Sequence, residues 1–161
     1  MTSIRFAAAF AVAAAALAAR DASAQTATQT VSYEVSAVNE ISVSGSPSLV
    51  ISAATAGSGL TSASASGTYA ITTNETDRKI TAEIDSDMPS GVTLSVSLAA
   101  PSGATSTGVV TLSSTAVDVV TGVSTVNQSG LSISYGLSAN VSAGVVSAGN
   151  RTVTYTITAG A

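Results

Sequence analysis

The chain has 161 residues, a net charge of −4, and neither histidine, cysteine nor tryptophan. Without histidine or cysteine, Ser-His-Asp and Cys-His catalysis and the usual zinc sites are excluded, and no disulfide can form. Charged residues make up 9% of the chain, far below the usual quarter, so Ser and Thr fill the polar positions.

The first 24 residues read as a cleaved secretory signal peptide. Arg5 gives the positive start, Phe6–Ala19 is unbroken apolar sequence, and Ala22-Ser23-Ala24 fits a small-x-small cleavage site. Gln25–Ala161 is then one mature domain. Its three basic residues, Arg78, Lys79 and Arg151, stand against eight acidic ones, giving 3 − 8 = −5. Such a chain has no electrostatic footprint for nucleic acid and no basic patch for anionic lipid. Every later apolar run is interrupted by Ser or Thr, so no membrane span is expected after signal cleavage.

Along the mature chain the dominant signal is a period of two, which marks half-buried strands. Val31, Tyr33 and Val35 predict a first strand, Val31–Ser36. Ala37–Val43 continues it with a bend near Asn39-Glu40. After the Gly45-Ser46-Pro47 turn, Leu49 and Ile51 suggest a short strand over Ser48–Ser52. Ala53–Gly67 is a run of small residues that reads as loop or weak strand, and Gly67–Thr73 as strand.

Asn74–Arg78 is a polar turn into the clearest piece of the chain, Lys79–Leu98. Ile80, Ala82 and Ile84 alternate with polar residues, as do Val92, Leu94, Val96 and Leu98. Asp87, Pro89 and Gly91 punctuate the link. The stretch predicts a hairpin, with Val92–Leu98 as a central strand. Beyond a loop over Ala99–Gly108 come short strands at Val109–Ser113, Ala116–Val120 and Gly122–Val126, and a turn at Asn127–Gly130. A strong strand follows at Leu131–Leu137, then a Gly-punctuated stretch over Asn140–Gly149. A closing strand runs over Arg151–Thr158.

Nine or ten short strands without a helical stripe predict an all-β fold, a two-sheet antiparallel β-sandwich of immunoglobulin-like or jelly-roll-like form. Tyr33, Tyr69, Tyr135 and Tyr155 all fall in strand patterns and are expected in the core or as cross-strand partners.

The acidic residues are the candidates for chemistry. Glu83 and Asp85 share a strand face and Asp87 follows in the turn. Oxygen ligands so spaced suit calcium, so Glu83, Asp85 and Asp87 are the metal candidate. The competing interpretation is a solvated outer face whose charges stop a strand from pairing wrongly. Paired carboxylates also serve glycoside hydrolysis, but a sugar cleft commonly uses aromatic platforms and the chain has no tryptophan. Lys79 reads as a surface charge rather than a catalytic base. Asp118 is expected to point away from Val117 and Val119, and Arg151 to pair with a carboxylate.

The closing segment Arg151-Thr-Val-Thr-Tyr-Thr-Ile-Thr resembles the terminal strand of secreted bacterial β-sandwich surface proteins, the WxL-type domains and the camelysin-type fibre proteins. Tyr155-Thr156-Ile157 stands where WxL domains carry Trp-x-Leu, with both the tryptophan and the leucine replaced. The resemblance implies surface attachment or fibre formation rather than enzymatic activity.

These features lead to one expectation: a secreted, non-catalytic structural protein, extracellular or at the cell surface, with the periplasm as an alternative compartment. It self-associates, or joins other surface proteins, into a filament, matrix or layer by strand-edge pairing. Gln25–Ser36 is the candidate donor strand. The alternative is an extracellular module that binds a glycan or protein, stabilised by calcium.

Overall fold

The computed structural model describes residues 24–160; most of the expected leader lies outside them. The described residues fall into two units, 24–34 and 35–160. The first contains no strand or helix. The second holds nine strands and a single 3-10 turn, Val141–Ala143. No helix among the described residues is long and apolar enough to cross a membrane.

The strands are β1 (Asn39–Ser44), β2 (Ala63–Thr73), β3 (Arg78–Ile84), β4 (Val92–Leu98), β5 (Thr105–Ser106), β6 (Val110–Thr111), β7 (Val117–Val123), β8 (Val126–Ala139) and β9 (Val153–Ala159). They form two antiparallel sheets. One has the order β1-β2-β8-β4-β6 and the other β5-β7-β3-β9. The alternating side chains of both supply one buried cluster. Tyr69, Ile71, Leu94, Val96, Leu98, Ile133 and Tyr135 come from the first sheet, and Ile80, Ala82, Ile84, Val119, Val120 and Val123 from the second. Two facing sheets with one shared core are the arrangement expected of a β-sandwich.

The expected Lys79–Leu98 hairpin is instead an arch. β3 and β4 lie in different sheets, and their apolar faces both enter the core. Alternation gives each strand an inner face but does not say which strand it pairs with. The central place in the larger sheet belongs to β8, which pairs with β2 on one side and β4 on the other.

Two turn signals turn out to be something else. The expected turn at Asn127–Gly130 lies inside β8. There Ser129 and Gly130 oppose Ala70 alone, because Tyr69 faces Leu131 and Ile71 faces Gln128. This is a β-bulge, and Gly130 takes the positive φ of +69° that glycine tolerates best. The chain reverses at Ser124-Thr125 instead. The expected strand Ala116–Val120 falls in β7, which runs on to Val123, while Gly122–Val126 is divided between the end of β7, the reversal and the first residue of β8. At the other end of the sheet, β2 begins at Ala63, inside the stretch read as loop or weak strand. Small side chains there give little periodicity, yet Ala63–Gly67 pairs residue by residue with Leu137 back to Ile133 of β8.

Candidate functional site

Residues 31–36 and 48–52, both expected to be strands, are in no strand. In the first of these the alternation is real but its apolar side chains are largely exposed. Val31, Tyr33 and Val35 are 73%, 94% and 84% exposed. Tyr33 is therefore neither in the core nor a cross-strand partner within the sheets. Tyr69 and Tyr135 are buried, and Tyr155 packs against the same core. The segment's end is fixed: the Asn74 side chain donates to the Ser36 carbonyl and accepts from the Val38 amide, both at 2.8 Å.

Four strands lie at sheet edges: β1, β6, β5 and β9. β5 and β6 are two residues each, too short to offer a ladder. β1 carries Glu40 on its edge. β9, VTYTITA, has seven residues with no charge and no proline, so it lacks the usual devices that protect an edge from pairing.

The side of β9 that faces away from β3 follows from its register. Gly160 donates to Asp77 and Asp85 donates to Thr152, and every pair between them sums to the same register. In an antiparallel ladder bonded pairs alternate. Thr154, Thr156 and Thr158 therefore bond inward to β3, and Val153, Tyr155, Ile157 and Ala159 aim their N–H and C=O groups outward. Among the described residues no backbone hydrogen bond from another segment reaches that outer side.

Two of the three candidate carboxylates, Asp85 and Asp87, accept backbone hydrogen bonds. The Asp85 carboxylate accepts from the Thr152 amide at 3.2 Å, just before β9. The Asp87 carboxylate accepts from the Ser114 amide at 2.7 Å, a bond that holds its carboxyl below the usual carboxylate range. Glu83 lies on β3 opposite Thr154. No group of three or more Asp or Glu among the described residues is placed to hold a metal ion. Arg151 binds the backbone carbonyl of Asp87 at 3.0 Å, not a carboxylate as expected. Lys79 pairs with Asp118 at 3.2 Å across β3 and β7.

A polar clasp around Glu75 was not anticipated. Glu75 accepts from the Asn39 side chain and pairs with Arg78. The Asn39 bond first, and Arg78 second, lower its carboxyl from the ordinary value. The turn it belongs to is also tied to Ser124, Thr125 and Gly160. The sequence signal was the polar run Asn74–Arg78 itself. Two shallow grooves run along β1 and β2, of about 200 and 120 Å³, below the ~300 Å³ at which small-molecule pockets begin.

Comparison with family models, with curated proteins and with solved structures gives no match.

Proposed function

We propose that this chain is a secreted, non-catalytic structural protein that assembles with copies of itself at the cell surface by strand-edge pairing. One observation carries the reading: the alternating apolar side chains of Val31, Tyr33 and Val35 are 73%, 94% and 84% exposed, and the segment that carries them belongs to no strand. Strand-patterned side chains left in water are stabilised by entering another sheet, where backbone bonds and apolar burial are gained together. The uncharged Ser/Thr surface is compatible with close packing of copies, because few charges need to be desolvated. The likeness of the closing strand to WxL-type and camelysin-type surface proteins points the same way.

Analytical ultracentrifugation of Gln25–Ala161 over a wide concentration range tests this. Association is expected, and it should be lost when residues 25–36 are deleted. A full-length mature chain that stays monomeric at the highest concentration would overturn the reading.

A further inference from the structure

Resting on that reading, we infer that the acceptor is the outer side of β9 in a second copy, and that the donor is Val31–Ser36 with its apolar residues in register with those of β9. Three observations converge. Of the four edges, β9 is the longest and bears no charge. Its outward backbone groups belong to Val153, Tyr155 and Ile157, whose side chains pack against the core. The donor alternates with the same parity.

Directly opposite residues share a sheet face. Placing Val35, Tyr33 and Val31 opposite Val153, Tyr155 and Ile157 therefore extends the apolar face by one strand. Ser32 and Glu34 then join Thr156 and Thr154 on the solvent face. A shift by one residue would turn every donor apolar side chain to water, so the parity is fixed. The antiparallel direction matches every ladder in the fold and is the slightly more stable of the two.

In that register Ser32 faces Thr156 as a non-hydrogen-bonded pair. The Cα separation of such a pair, about 4.5 Å, lies within disulfide range. The chain has no cysteine of its own, so introduced thiols report only the intended contact. Mature protein carrying S32C is mixed with a differently tagged copy carrying T156C and oxidised. A second mixture replaces the partner with T111C, on β6, an edge strand of the other sheet.

The mixed disulfide between the S32C and T156C copies should be the major product, lost on adding excess wild-type protein, while the T111C mixture gives none. If the chains associate and deletion of 25–36 abolishes association, yet the disulfide forms equally with Thr111 or not at all, the β9 assignment fails and the broader reading stands. If a chain carrying both S32C and T156C closes only on itself as a monomer, the donor serves its own edge and the inference is overturned. If no mixture associates, both fail.

Discussion

The hydroxyl of Tyr155 on β9 donates to the hydroxyl of Tyr135 on β8 at 2.9 Å, a hydrogen bond between the two sheets within a mainly aliphatic core. Tyr135 is 9% exposed, so water cannot readily replace a lost partner. Tyr155→Phe should lower stability by about 1 kcal/mol, the net worth of a typical hydrogen bond. Tyr155→Ala removes ring packing as well and should cost about 3 kcal/mol. Urea denaturation of both variants checks the order; a neutral Tyr155→Phe would show that the bond contributes nothing.

Tyr69 and Tyr155 predict an alkaline limit. Burial pushes Tyr69 from 10.0 up to about 12. Burial, and secondly the bond with Tyr135, push Tyr155 up as well. A raised folded pKa favours the protonated form in the native state. The contribution is therefore complete below the unfolded value near 10, and for Tyr69 it is lost as pH rises through about 12. Denaturation midpoints should hold steady from about pH 8 to about pH 10, the ordinary phenol value, and fall beyond it. An unchanged midpoint near pH 11.5 would contradict this.

Asp87 governs the acid side. Its carboxyl, lowered from 3.8 by the Ser114 amide, stabilises the fold above that ordinary value and ceases to do so as pH falls through the depressed one. Asp87→Ala should lower the melting temperature at neutral pH, and the difference from wild type should vanish in strong acid. Because Asp85 and Asp87 are bonded to backbone amides, millimolar calcium should leave the melting temperature unchanged. A rise with calcium that Asp85→Ala abolishes would instead establish the metal module set out as the alternative.

Two glycines should differ in a defined way. At Gly130, φ is +69° and an added Cβ meets nothing within 4 Å. Gly130→Ala should therefore cost only the conformational strain, about 1 kcal/mol. At Gly91, φ is +80° and the Cβ would stand 2.6 Å from the Asn140 side-chain oxygen. Gly91→Ala should be clearly the more destabilising of the two. Equal losses in thermal melts would refute the distinction.

Where the sequence could be read and where it could not follows from what alternation encodes. β4 was placed to the residue at Val92–Leu98, and β3 within one residue, because large aliphatics at every second position have one explanation. Partner choice was not encoded: the Ser86–Gly91 link looks the same whether it turns within a sheet or crosses between two. Gly130 read as a turn because a bulge and a turn ask for the same positive φ. β2's first half escaped because Ala and Ser give no contrast. At the candidate edge, the donor segment was legible as a pattern, but only the β3–β9 register shows which groups of β9 point outward. The roles of Arg151 and Glu75 depend on contacts with residues distant along the chain, Asp87 and Asn39.

The arch between β3 and β4 also constrains the order of events during folding. Because neighbouring strands of the chain go to opposite sheets, neither sheet can be finished from one continuous stretch. β3, at residues 78–84, gains its β9 neighbour only when residues 153–159 are present, some seventy positions later. Until then the smaller sheet is one strand narrow, and the core lacks Tyr155 and Ile157. A nascent chain therefore has no complete native intermediate to settle into. Closure of the smaller sheet is therefore expected to come late, governed by slow long-range pairing.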